Sequence, residues 1–378
     1  MATSSPVTAL QLQGAKQLRL SSEPSRTCGP KEVRVKIAYC GICGSDIHEY
    51  QAAPIFSPPV GGQNPHSGLA LPVTLGHEFS GLVTEVGSAV VNIAVGQKVV
   101  VDPVLHDRHY GLAPCDACQI GLYNVCRRAT VCGLSAPGGG LASETIVMAA
   151  SCIPLPSSLS LKVGALVQPL TIAWHAVRIS GFKAGQKALV CGAGPIGLAM
   201  LMALKAWGAS TVIVSEITGS RSNQATRFGA DVVVNPLKNQ GKDEGGKKID
   251  SVKSAVERAT NGDMVDVAFV AASHQSVLDT AIAATRIGGT VLNAAINEKP
   301  LQVDLNDLTM SEKKLLTSAR CTDEDWVDVI AALENKKIPA VEDMITAVVP
   351  LSNAIDGAFK ELIDNTPAHI KILIQPDG

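Results

Sequence analysis

Excess charge of either sign is missing from this chain. Its 378 residues carry 32 Lys and Arg against 34 Asp and Glu, a formal net charge of -2. That balance gives nucleic acid and anionic membrane no electrostatic reason to bind, so neither is expected as a partner. Also missing is an apolar run of bilayer length: helical stretches such as 197–207 are too short to span. The first twenty residues contain no basic segment followed by an apolar one, so no secretory signal is expected and a cytoplasmic enzyme is the starting expectation. Charged residues are only 17% of the chain and hydrophobic ones 46%. This excludes a disordered chain and fits a well-buried α/β protein, long enough for two domains.

What is present changes character along the chain. The first 155 residues read as short strands broken by turns, among them "EVRVKIAYC" (32–40), "GLVTEVGSAV" (81–90) and "QKVVVD" (97–102). A long Pro/Gly-rich loop, "PIFSPPVGGQNPHSG" (54–68), lies between them and is read as functional. From about residue 164 strands and helices alternate: "KALVC" (187–191), a helix over 197–209, "TVIVSE" (211–216), "DVVVNP" (231–236), "MVDVAFVAA" (264–272) and "GGTVLNAA" (288–295). Repeated βα units predict a doubly wound parallel sheet that is complete before residue 306. The charged segment 238–248 reads as a solvated insertion. Beyond 306, an amphipathic helix beginning "DEDWVDVIAALE" and a last strand, "HIKILIQP", are predicted to return to the first domain.

"CGAGPIG" follows a strand and opens a helix, with Gly192, Gly194 and Gly197 in G-x-G-x-x-G spacing. The first glycine permits a tight turn, the second lets backbone approach a pyrophosphate, and the third allows close helix–strand packing. Pro195 and Ile196 open the helix whose free N–H groups would face the phosphates. Glu216 ends the next strand, where a carboxylate accepts ribose hydroxyls and repels a 2′-phosphate. NAD(H) is therefore expected, with Arg221 nearby keeping NADP(H) open.

Two further stretches carry ligand chemistry. "CGICGSDIHEY" (40–50) places Cys43, Ser45, Asp46 and His48 in what reads as one short turn, and "LGHEFSG" (75–81) adds His77 and Glu78. A thiolate and an imidazole from separate segments suit a zinc ion with an open position for substrate. Gln168, the one polar residue near the start of the apolar run "GALVQPLTIAWHAV" (164–177), either bonds nearby backbone or occupies a metal site.

In order and spacing, "GICGSDIHEY", "PIFSP", "LPVTLGHEFSG", "GALVQPLTIAWHAV" and "CGAGPIG" resemble the zinc-containing medium-chain dehydrogenases/reductases, over essentially the whole chain. The resemblance is closest to the polyol branch and, within it, to 2,3-butanediol dehydrogenases. It implies a β-rich GroES-like catalytic domain (1–163), a Rossmann dinucleotide-binding domain (164–305) and a C-terminal segment (306–378) returning to the catalytic domain. It further implies Cys43 and His77 as catalytic zinc ligands, with Glu78 as an acid able to approach the metal. A proton relay would run through Ser45, the cofactor ribose and His48. The expected reaction is zinc-assisted hydride transfer between NAD and a secondary alcohol or vicinal diol such as butanediol, in a homodimer or homotetramer.

Three positions depart from that branch. Gln168 stands where a glutamate ligand is expected, which leaves about one uncompensated positive charge on a zinc site: weaker metal binding, but a stronger Lewis acid. Asn297 replaces a tryptophan. Leu112 occupies the first position of a C-x₂-C-x₂-C-x₇-C structural zinc pattern, of which Cys115, Cys118 and Cys126 supply the rest. Three thiolates form an incomplete structural site, and His109, Asp116 or Cys132 are the candidates to complete it. These departures leave open another alcohol or ketone as substrate. They also leave a zinc-independent NAD(P)H reductase of an activated double bond, indifferent to chelators, and a non-catalytic dinucleotide-binding protein without turnover.

Overall fold

The computed structural model describes residues 6–238, 251–297 and 299–377. Most of the predicted insertion at 238–248 therefore lies outside the described residues. The chain forms two compact units, one of Met1–Gln168, Thr322–Glu334 and Val341–Gly378, the other of Pro169–Cys321 and Asn335–Ala340. Among the described residues, no helix is long and apolar enough to cross a membrane.

The first unit is built on a mostly antiparallel β framework. In the strand Glu32–Gly41, Val33, Val35 and Ile37 alternate inward and join Leu10, Leu12, Phe79, Phe359 and Ile372 in one core. Glu32–Gly41 pairs antiparallel with Glu78–Val86, and the ladder ends with Gly41 opposite Glu78. Cys43, two residues beyond that end, and His77, one residue before it, therefore emerge at the same point. The final strand, Lys371–Gln375, pairs with the other side of Glu32–Gly41, with Leu373 opposite Gly41. The predicted short turn at 43–48 is a helix, Gly44–Ala52, with Cys43 at its N-cap. The buried Asp46 carboxylate accepts the Cys43 N–H at 2.9 Å and so nucleates that helix.

The second unit is a six-stranded parallel sheet in the order Val232–Val234, Thr211–Ser215, Lys187–Cys191, Val265–Val270, Thr285–Asn293, Lys314–Thr317. The order reverses between Lys187–Cys191 and Val265–Val270, which puts the glycine turn after Lys187–Cys191 at a topological switch point. The sheet is not complete before residue 306. Its sixth strand, Lys314–Thr317, pairs with Thr285–Asn293, and the chain returns to the first unit only at Thr322. This edge strand is mostly exposed and lacks the buried alternation by which strands are read. The early boundary also shifts, from 163 to Gln168, because one continuous helix, Leu161–Ile179, runs through both units.

Candidate active site

Cys43, His77 and Glu78 converge in the first unit, with one ligand atom from each within 4.8 Å of the others. Gly76 makes the bend that delivers them: its φ is +95°, and a Cβ there would lie 2.7 Å from Cys40 Sγ and 2.8 Å from Leu141 N. Asp46 ties the two segments together. Its Oδ1 accepts the Gly76 N–H at 3.3 Å and lies 3.6 Å from Nδ1 of His77. That nitrogen is buried and has no hydrogen-bond partner among the described residues, and the Asp46 carboxylate is the acceptor that faces it. Nε2 then faces Ser45 Oγ at 3.2 Å. Burial opposes charge on His77, but Asp46 and Cys43 outweigh it and push the imidazole well above its ordinary value. A cation held among these groups supplies the same compensation without a proton on the ring.

Glu78 is bound to a partner 293 residues away. Lys371 Nζ donates to Glu78 Oε2 at 2.6 Å and to the Ile42 carbonyl at 3.0 Å, with both side chains buried. Burial works against the charged lysine, yet the Glu78 carboxylate holds its pKa above the ordinary value. Gly41 makes room for this pair, since a Cβ there would lie 3.2 Å from Lys371 Cδ and closer still to Glu78 Oε2. The charge of Glu78 is thus already offset by Lys371, and it does not by itself neutralise a metal beside Cys43 and His77.

Ser45 and His48 stand three residues apart on the helix Gly44–Ala52 and so share a face, with His48 exposed. Gln168 is half-buried on the helix Leu161–Ile179. Gly164, one turn before it, meets the strand of Glu78 so closely that a Cβ would fall 2.8 Å from Ser80 Cβ. Residues i and i+4 share a helix face, and Glu78 and Ser80 share a strand face. Gln168 therefore lies on the helix face turned to the strand that carries Glu78.

In the second unit the glycine turn has the geometry its spacing predicts. Gly192 has φ +106°, Gly194 is the N-cap of the helix Pro195–Ala206, and Pro195 is its first residue. A Cβ on Gly197 would overlap the Gly192 carbonyl oxygen, whereas a Cβ on Gly194 would meet nothing within 4 Å. Close packing lies on one side of the turn and open space on the other, next to the partly exposed Pro195 and Ile196. Buried Glu216 follows the strand Thr211–Ser215, and its two oxygens accept the N–H groups of Ala193 and Thr218, both at 2.7 Å. Each carboxylate oxygen keeps a second lone pair for a ribose hydroxyl. Arg221 is half-buried in the first turn of the helix Gly219–Arg227.

Cys115, Cys118 and Cys126 also come together, but none of the three predicted completing residues joins them. His109 Nδ1 accepts the His106 N–H at 3.1 Å, Asp116 pairs with Arg127, and Cys132 packs with Leu105 and Ala136. Leu112 is partly exposed. The fourth group is Asp107, whose carboxylate lies with the three sulfurs inside 4.8 Å. The turn over 106–112, closed by the bonds from Tyr110 N and Leu112 N to the Asp107 carbonyl, folds it back onto Cys115. Its position five residues before Leu112 lies outside the spaced-cysteine pattern. Asp46 and Lys371 were likewise given no role from the sequence; a buried acid at the third position of a helix is the signal for the first, and none marks the second.

The chain matches two family models, an alcohol dehydrogenase GroES-like domain over 29–157 and a zinc-binding dehydrogenase over 195–335. It is 38% identical to an (R,R)-butanediol dehydrogenase of Saccharomyces cerevisiae over 92% of either chain. It is 31% identical to a sorbitol dehydrogenase of Bos taurus over 92% of this chain and 91% of that one. The crystal structure of 2R,3R-butanediol dehydrogenase from Bacillus subtilis superposes with a TM-score of 0.88 at 34% identity, covering 98% of this chain and all of that one.

Proposed function

The chain belongs to the zinc-binding alcohol dehydrogenases, and from that premise we propose that it interconverts 2,3-butanediol and acetoin with NAD(H). The observation that carries the reading is the meeting of Cys43 and His77 at the ends of two paired strands, with Asp46 behind the imidazole. A thiolate, a neutral imidazole and an open position suit a catalytic zinc. When bound, zinc acts as a Lewis acid toward the substrate oxygen, and the nicotinamide accepts or returns the hydride. The protein's own contributions are orientation and proton handling. Cys43 and His77 would hold the metal, the Asp46 carboxylate faces Nδ1 of His77, and Ser45 presents a hydroxyl beside the ring for the proton of the alcohol. His48, three residues further along the same helix and open to solvent, would pass that proton on to water when the cofactor is bound. Gly192, Gly194, Pro195, Ile196 and Gly197 would hold the pyrophosphate at a helix N-terminus, and Glu216 would meet the ribose. A buried carboxylate there disfavours a 2′-phosphate, so NAD is preferred to NADP, with Arg221 at the start of the following helix as the residue that keeps NADP open.

Initial rates with 2,3-butanediol, acetoin, sorbitol and a bulky secondary alcohol, each with NAD(H) and NADP(H), test this reading. Butanediol and acetoin are expected to lead with NAD(H), and chelation to remove the activity. Activity indifferent to chelator, or a bulky alcohol far ahead of butanediol, overturns it. No disulfide joins any of the ten cysteines, which supports a cytoplasmic enzyme. The outer edge of Lys314–Thr317 pairs with no strand among the described residues, which supports assembly as a homodimer or homotetramer.

Gln168 is read as the carboxamide ligand or neighbour of that zinc. Gln168→Glu removes the uncompensated charge, so zinc is expected to bind roughly tenfold more tightly or better in chelator competition, at reduced Lewis acidity. Unchanged affinity would place residue 168 outside the metal's reach.

A further inference from the structure

We propose that Asp107, Cys115, Cys118 and Cys126 form a second, complete zinc site, with the carboxylate standing in for the absent fourth thiolate and Arg128 as its outer partner. The donor set is of the right kind and size. Cys115 Sγ and Cys126 Sγ lie 3.8 Å apart, and Cys126 Sγ lies 3.2 Å from Asp107 Oδ1. A tetrahedron with Zn–S arms of about 2.3 Å and a Zn–O arm of about 2.0 Å has S–S edges of about 3.8 Å and S–O edges of about 3.5 Å. Two of the donor pairs stand close to tetrahedral spacing, and all four donors lie within 4.8 Å of one another.

The charge arithmetic agrees. Three thiolates and a carboxylate around Zn²⁺ carry the same formal charge as four thiolates, so exchanging cysteine for aspartate leaves the site's electrostatics unchanged. At Gln168 the exchange of acid for amide has no such compensation. Arg128 Nε donates to Asp107 Oδ1 at 2.6 Å, and its Nη2 reaches the Ala113 carbonyl at 2.7 Å. The Cys115 N–H donates to Asp107 Oδ2 at 2.6 Å, and the Arg128 N–H donates to Cys126 Sγ at 3.3 Å. An outer cation on the ligating carboxylate, and backbone N–H groups on carboxylate and thiolate, are the supports that orient metal ligands. The segment needs such a staple: between Asp107 and Arg128 its only regular elements are the helix Asp116–Gln119 and the short turn Tyr123–Val125, and Ile120, Leu122 and Val125 are exposed.

The test is zinc content of the full-length chain in a Cys43→Ser background, which disables only the catalytic centre and separates this proposal from the one above. About one zinc per chain is expected to remain there. Asp107→Asn keeps the size of the side chain and one oxygen acceptor, for Arg128 or for the Cys115 N–H, but is a poor metal ligand, so zinc affinity is expected to fall at least about tenfold in chelator competition. Asp107→Cys is expected to keep the zinc, and with cobalt substituted its thiolate-to-metal absorption is expected to exceed the parent's, as a fourth thiolate joins. A Cys43→Ser chain without zinc, an Asp107→Asn chain that holds zinc as firmly as its parent, or identical cobalt spectra for the parent and Asp107→Cys, each overturns the assignment.

Discussion

Cys43→Ser is expected to lower kcat/KM for acetoin reduction by at least about 10³-fold, the equivalent of about 4 kcal/mol. The cause is electrostatic. In the cluster of Cys43, His77 and Glu78, Cys43 is the donor whose anionic charge no lysine offsets, because Glu78 is paired with Lys371 at 2.6 Å. Without the thiolate, a divalent ion would face an imidazole and a carboxylate offset by a lysine, and its affinity is expected to collapse. Serine is a good N-cap, so the helix Gly44–Ala52 is expected to survive and the loss to appear in metal content and turnover rather than in folding. Elemental analysis together with thermal unfolding checks this. A variant that kept a tenth of the parent's activity would show that hydride transfer does not need the metal, and would revive the zinc-independent reductase.

Gly197→Ala is the second large effect. The added Cβ would overlap the Gly192 carbonyl oxygen, which has nowhere to go: Gly192 is held at φ +106° and its N–H is bound to the Ser215 carbonyl at 2.8 Å. Overpacking of this kind costs about 1–3 kcal/mol, and the turn must open to relieve it. NADH affinity is expected to fall at least about tenfold, followed by quenching or transfer of protein fluorescence, with a lower unfolding midpoint. Gly194→Ala is the informative contrast. Its Cβ meets nothing within 4 Å, so the variant is expected to fold as stably as the parent and to lose NADH binding only by crowding the pyrophosphate. Equal stability and equal affinity in Gly197→Ala would remove the turn from the cofactor site.

The two sites differ in how much of them is legible along the chain. The nucleotide turn is a local object: strand, three spaced glycines and helix lie within a few residues, so spacing alone predicts the positive φ at Gly192 and the tight contact at Gly197. Cys43 and His77 are legible in a weaker way. Nothing local says that they meet; they do so because the strands bearing them pair with Gly41 opposite Glu78. The sixth strand of the parallel sheet was missed for the opposite reason. Lys314–Thr317 lies at an edge, largely exposed, and has too little buried periodicity to be seen before its neighbour is in place.

By itself, then, the sequence determined the βα rhythm of the second unit, the β framework of the first, the glycine turn and the two segments that are candidates to bind metal, because each is written in periodicity or short spacing. Tertiary structure alone decided which acids serve those segments. It set Asp46 behind His77, neutralised Glu78 with Lys371 from the last strand, and folded Asp107 back onto three cysteines that had lacked a fourth donor. Charge compensation and metal coordination depend on distances of a few ångströms in space. Residues brought that close by strand pairing or by a turn need have no recognisable spacing along the chain.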